Sequence, residues 1–223
     1  MKTAVTVTHA ELETPPPSSV EQAAGKLEFA DGKPLAIGNT NENPRGIGFL
    51  QLLREDFQTH GRSLRAGGFW ALAVHRFGNA RMDIASKPLR APLSALYRVA
   101  HKAVIALWGI DMPYNAKVGR RLRIDHHGCA MLGAKVIGDD VWIRHSATIG
   151  LARRTEPTAP TIGNRVEIGP GACIVGAIHV GDDSYVGANS VLADSVPAGS
   201  AVLGVPARKV KLEQLLDDAT ERR

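Results

Sequence analysis

A handful of residues near the middle of the chain have the types and spacing to move a proton. Asp125-His126-His127 is the densest polar cluster in a stretch of small aliphatics, and Asp111 stands fifteen residues before His126. His145 follows Ile143 as His126 follows Ile124, two residues on in each case. A carboxylate against one imidazole nitrogen fixes the tautomer and raises basicity, leaving the other nitrogen free to take a proton. A hydroxyl needs such a base before it attacks a thioester. Asp111 is therefore expected to face His126, with His145 one layer away.

These residues sit in a repeat. Ile162, Ile168, Ile174, Val180, Val186 and Leu192 recur every sixth residue, with glycine behind Ile162, Ile168, Val180 and Val186. Ile137, Ile143 and Ile149 form a shorter train of the same period, and Val118 and Ile124 begin another. Period six matches neither an isolated helix nor an isolated strand. It matches a chain that turns a corner every six residues, one aliphatic per corner pointing at a common axis, and so a parallel β-helix. A sandwich of short strands would not hold one phase over so many units.

Two spacings of thirteen break the period. Between Ile124 and Ile137 they imply a one-residue bulge near Gly128–Gly133; between Ile149 and Ile162 they imply a loop, Leu151–Thr161, carrying Arg153 and Arg154. Loops on a rigid scaffold are where ligands are commonly held.

The rest of the chain supplies the frame. Residues 1–43, with Pro15-Pro16-Pro17-Ser18-Ser19, read as a flexible arm. Residues 44–109 read as a small α-helical domain, with helices from near Ile47 to Gly61, over Phe69–Phe77 and over Leu89–Trp108. The third has Leu93, Leu96, Val99, Ala100, Val104 and Leu107 on one side. Residues 110–207 form the β-helix. Residues 208–223 form a tail, its Lys209–Ala219 segment amphipathic and expected to cap the last coil as a short helix.

Composition excludes several classes. Net charge is +5 over 223 residues, but no basic run is interleaved with aromatics, so nucleic acid is not the expected partner. A polyanionic co-substrate accounts for positive charge equally well. The two cysteines, Cys129 and Cys173, have neither metal-site nor disulfide spacing, and Met1–Ala10 lacks the apolar core of a signal peptide. Leu93–Ile110 carries Arg98, His101 and Lys102, so no membrane span is expected, and the setting is cytoplasmic.

The segments Gly109-Ile110-Asp111, Ala116-Lys117-Val118-Gly119-Arg120-Arg121-Leu122-Arg123-Ile124-Asp125-His126 and Gly204-Val205-Pro206-Ala207-Arg208 resemble serine acetyltransferases. Those are hexapeptide-repeat acyltransferases with a left-handed β-helix, and the resemblance covers about Gly46–Val210. It implies an acetyl-CoA-dependent O-acetyltransferase with His126 as general base, Asp111 as its carboxylate partner and Asp125 contacting the acceptor. It also implies a homotrimer, or a dimer of trimers, with acetyl-CoA in the groove between neighbouring solenoids. The groove positions would be Leu151, Ala152, Pro170, Gly171 and Ala188, with Arg208 near phosphate.

This chain departs from the family pattern in ways that bear on the acceptor. The family's Arg-His-Pro-Lys-Ile-Gly is here Thr158-Ala159-Pro160-Thr161-Ile162-Gly163, so the Arg-His pair that helps hold serine is missing. Arg153 or Arg154 are candidates to replace it. One residue is absent after His126, leaving His127 as an alternative base, and the usual Gly-Gly-Thr-Gly is Gly150-Leu151-Ala152-Arg153. L-serine leads as acceptor, and a sugar hydroxyl of a capsule or exopolysaccharide pathway is the alternative.

Two other classes fit the residues less well. Zinc on His126, His127 and His145 would suit a carbonic anhydrase-like β-helix, but adjacent residues of an extended strand point to opposite faces. No metal is expected. A solenoid scaffold without activity leaves Asp125-His126 unexplained. The stretch Arg120-Arg121-Leu122-Arg123 reads as a solvated face, with contact to the co-substrate's phosphates as the alternative.

Overall fold

The computed structural model describes residues 40–126, 128–152 and 158–210. His127, Arg153, Arg154, most of the arm and the tail beyond Val210 lie outside the described residues. The hexads fold as their period requires. Short parallel strands stack into three sheets, and each sheet carries a column of inward aliphatics. One column is Leu132, Ile149, Ile174 and Leu192; a second is Val118, Ile137, Ile162 and Val180. The third is Ile124, Ile143, Ile168, Val186 and Val202. None of these side chains is more than 3% exposed, so each contributes about 1.5–3 kcal/mol of burial.

Behind the Val118, Ile137, Ile162 and Val180 corners the next coil leaves no room for a side chain, and glycine follows each. A Cβ on Gly138 would lie 2.5 Å from the Gly163 carbonyl of the next coil. Along this column the residues after Gly138, Gly163 and Gly181 tie the coils together. Asp139 accepts from Arg120 N–H, Asn164 from Asp139 N–H, and Asp182 from Asn164 N–H, at 2.8–2.9 Å. The next residues, Arg121, Asp140, Arg165 and Asp183, take left-handed φ of 53–58° and form the ion pairs Arg121–Asp140 and Arg165–Asp183 along one edge.

Three helices close the start of this stack. They are α1 (Phe49–Thr59), α2 (Gly67–Ala80) and α3 (Lys87–Trp108), each within a few residues of expectation. α3 ends at Gly109, whose φ of 67° turns the chain directly into Ile110. α2 is the docking helix. Its Ala71 and Leu72 share one apolar core with the coils, and its polar residues reach the first coil's backbone. Arg76 donates to Val118 O (2.7 Å) and Gly119 O (2.6 Å), His75 Nε2 to Ala116 O (3.0 Å) and Asn79 to Tyr114 O (2.8 Å). An open solenoid end would leave such carbonyls to water or to another chain. Here α2 satisfies them.

Three expectations are corrected. Asn41, Glu42 and Asn43, read as part of the arm, hydrogen-bond to Asp83, Asn79 and Arg76 O, so the chain is tied down from there. On α3 only Tyr97 and Val104 are buried, and Leu89, Leu96, Val99 and Leu107 are 56–69% exposed, because α2 covers a different side. The tail begins as a strand: Arg208–Val210 pairs antiparallel with Ala201–Leu203 and closes the last coil by backbone bonds. No helix among the described residues is long and apolar enough to cross a membrane.

The α2 interface predicts a pH dependence. His75 is fully buried, its Nδ1 has no partner among the described residues, and desolvation beside Arg76 lowers its pKa from 6.5 to about 3. A depressed histidine favours the fold while both states are neutral. That stability is lost as pH falls from about 6.5 towards 3, where only the unfolded chain binds the proton. Denaturant midpoints should fall between pH 7 and pH 4, and less steeply in His75→Gln, whose amide can still donate to Ala116 O. Asp56, raised by burial, contributes an opposite slope that the two proteins share. Equal slopes would remove His75 as the cause.

Candidate active site

The corner after Ile124 is irregular, and it carries His126. Ile124 pairs with Ile143, so His126 and His145 lie on successive coils as expected, their rings edge to face at 5.6 Å. Leu132 pairs with Ile149, so this corner takes eight residues where the next takes six. The expected one-residue bulge is thus two extra residues, partly offset by a five-residue step from Leu132 to Ile137. His126 takes up the excess at φ 65° and stands exposed. The corner is pinned behind it by Gly128 N–H on Trp108 O. His145 Nδ1 is buried without a hydrogen-bond partner among the described residues.

Asp125 is held rigidly. Arg123 Nε donates to one carboxylate oxygen (2.8 Å) and the Trp142 indole N–H to the other (2.7 Å). Arg123 and Arg144 flank the Trp142 ring at 5.0 and 4.2 Å, fixing the indole in turn. The carboxylate is therefore presented already neutralised.

A cavity of about 330 Å³ opens beside these residues, between the coil and the loop joining α1 to α2. Arg123, Asp125 and His126 line one wall; His60, Ser63 and Arg65 line the other. His60 builds the junction. Its Nδ1 donates to Asp56 O (2.7 Å), so Nε2 is the lone-pair nitrogen and accepts Ile124 N–H (3.2 Å). Burial lowers its pKa, which keeps that acceptor neutral. α2 can come this close because it starts on glycine: a Cβ on Gly68 would lie 2.4 Å from Ile124 O. Sequence reading missed this wall. The signal for it was His60 and the Arg62–Arg65 run between Gly61 and Gly67-Gly68.

Asp111 is not paired with His126 among the described residues. Its carboxylate lies 3.2 Å from His101 Nε2 on α3, and no hydrogen bond or ion pair joins it to His126. The cause is topological. α3 runs straight into the strand bearing Asp111, which brings His101 beside it, while the enlarged corner carries His126 outward. His101, read as scattered and structural, stacks on Tyr97 and is the imidazole that Asp111 meets.

The arginine stretch is also committed within the chain. Arg120 is bidentate to Glu55, Arg121 to Asp140, and Arg123 bonds Asp125 through Nε, so each already has a carboxylate partner. The groove positions fall on neighbouring layers. Gly171 N–H meets His145 O (3.0 Å), and Asn189 N–H meets Pro170 O (2.8 Å), so His145, Pro170-Gly171 and Ala188-Asn189 form one column. Leu151, Ala152, Ala188 and Arg208 are exposed, and Arg208 lies 3.9 Å from Asp194. Ala159, at the place of the family's histidine, is 4% exposed and faces inward. Among the described residues no three His, Cys, Asp or Glu side chains are gathered to hold a metal.

Residues 159–194 match the model of the bacterial transferase hexapeptide family (six repeats). The chain is 43% identical over 104 residues to a serine acetyltransferase of Helicobacter pylori strain J99, covering 46% of this chain and 61% of that one. It is 42% identical over 120 residues to the Escherichia coli K12 protein named "Putative colanic acid biosynthesis acetyltransferase WcaB", covering 53% and 72%. A crystal structure of Brucella abortus serine acetyltransferase in complex with coenzyme A superposes with a TM-score of 0.60 at 28% identity, over 73% of this chain and 67% of that one. The solenoid is a left-handed parallel β-helix. The chain thus spans less than two thirds of the H. pylori enzyme but nearly three quarters of the E. coli protein, and it belongs to the serine acetyltransferase-like hexapeptide-repeat acyltransferases.

Proposed function

We propose that the protein transfers an acetyl group from acetyl-CoA to the hydroxyl of a small acceptor, with L-serine the leading acceptor. The observation that carries this reading is His126, exposed on a left-handed corner at the wall of a cavity sized for a small molecule. Serine acetyltransferases at 38–43% identity supply the donor and the acceptor class. His126 takes the hydroxyl proton as the oxygen attacks the thioester carbonyl. The C–S bond then breaks, the proton passes to the departing thiolate, and the products are an O-acetyl ester and free coenzyme A. No acyl-enzyme forms. Holding two substrates in line is worth roughly 7–11 kcal/mol where the geometry is good.

In this reading Leu151, Ala152, Pro170, Gly171, Ala188 and Arg208 contact acetyl-CoA, and Asp125 and His145 border the acceptor. His127, Arg153 and Arg154 keep the acceptor role the sequence suggests. The setting is cytoplasmic. The assembly is a homotrimer, which gives the groove a second wall and gives the exposed Leu89, Leu96, Val99 and Leu107 of α3 a surface to meet. A sugar acceptor is the second reading, favoured by the loss of the Arg-His pair at Thr158-Ala159 and by the 72% coverage of the E. coli protein.

Steady-state thiol release from acetyl-CoA, with L-serine, nucleotide sugars and oligosaccharides as acceptors, tests the reading. One thiol per O-acetyl ester with L-serine is expected. Thiol release only with sugars moves the function to the second reading, and none with any acceptor contradicts both.

A further inference from the structure

Resting on the acetyl-transfer reading, we infer that Arg65 is the specificity-determining residue for the acceptor and binds a carboxylate that the acceptor carries. Asp125 is the one carboxylate among the lining residues, and Arg123 and Trp142 already occupy both its oxygens. His60 has both ring nitrogens in use, one on Asp56 O and one on Ile124 N–H. Arg65 differs. Its backbone N–H bonds Ser63 Oγ (3.2 Å), and its guanidinium has no partner among the described residues.

The wall facing His126 therefore offers an unpaired guanidinium and the Ser63 hydroxyl proton, opposite a carboxylate whose charge Arg123 already balances. The first turn of α2, which opens at lining residues Ala66 and Gly67 and has no side-chain cap, adds charge of the same sign. A planar fork of donors matches a carboxylate in bidentate fashion. Arg65 thus supplies an anion contact to the cavity from the helical layer. An amino acid and a uronic acid both carry the required group, and the test separates them.

The test uses the full-length protein and its Arg65→Ala and Arg65→Lys variants. Turnover is measured with L-serine against serine methyl ester, and with glucuronic acid against glucose. Equilibrium binding of L-serine and of glucuronate is measured in parallel without acetyl-CoA. Arg65→Ala should raise KM for the carboxylated acceptor about tenfold to a hundredfold, the usual worth of a hydrogen bond to a charged group. KM for acetyl-CoA should be unchanged, and the loss should be absent with the carboxylate-free partner and smaller in Arg65→Lys. Whichever carboxylate shows that pattern names the acceptor class. Equal KM in wild type and Arg65→Ala, or equal use of charged and neutral acceptors, overturns the inference and leaves acetyl transfer standing. Arg65-dependent binding without any turnover keeps the anion site and overturns the acetyl-transfer reading. Neither binding nor turnover overturns both.

Discussion

Replacing His126 by alanine is expected to lower acetyl-transfer turnover by about 10²–10⁴-fold, the usual contribution of general base catalysis. The position allows a clean measurement. His126 is exposed and lies outside the hydrophobic core, so removing its ring costs little packing. Its φ of 65° costs alanine some backbone strain, whereas asparagine tolerates that region better. His126→Asn therefore separates chemistry from conformation. Both variants should lose turnover to a similar degree while KM for acetyl-CoA stays near that of wild type. Turnover near wild type in both would move the base to His127 or to His145, whose ring centre is 5.6 Å away.

The second large effect lies in the interface that shapes the cavity. Arg76 and Asp56 are both fully buried, and the guanidinium also serves Val118 O and Gly119 O. Removing one partner of a buried ion pair leaves an uncompensated charge, at a cost of about 3–5 kcal/mol. Arg76→Met should cost at least that, because the two carbonyls lose their donors too. The double variant Asp56→Leu/Arg76→Met removes the stranded carboxylate and should recover part of the loss, but not the share due to the carbonyls. Urea unfolding of the three proteins checks this. A loss under about 1 kcal/mol for Arg76→Met would mean that water reaches the interface and that the helices are not sealed onto the coil.

The reach of sequence reading here has a physical basis. One aliphatic per corner is a one-dimensional code, so the column residues from Val118 to Leu192 could be read from spacing, except Leu132, which with Val202 falls off the six-residue period. His126 and His145 were legible as stacked neighbours for the same reason. Asp111 was not, because a spacing of fifteen residues says nothing about the direction in which α3 enters the coil. The wall formed by His60, Ser63 and Arg65 was hidden because helix-to-coil contacts have no period. On α3 the apolar stripe was visible, but not whether the same chain covers it. The tail strand Arg208–Val210 was hidden by a pattern too short to tell strand from helix.

The most direct test of the central claim is a crystal structure of the full-length protein with coenzyme A and the acceptor that turns over. The reactive hydroxyl should lie within about 3.2 Å of a His126 ring nitrogen, inside the cavity closed by the His60–Gly67 loop, with the coenzyme thiol close by. An acceptor seated elsewhere, with His126 facing solvent in the ternary complex, would contradict the account.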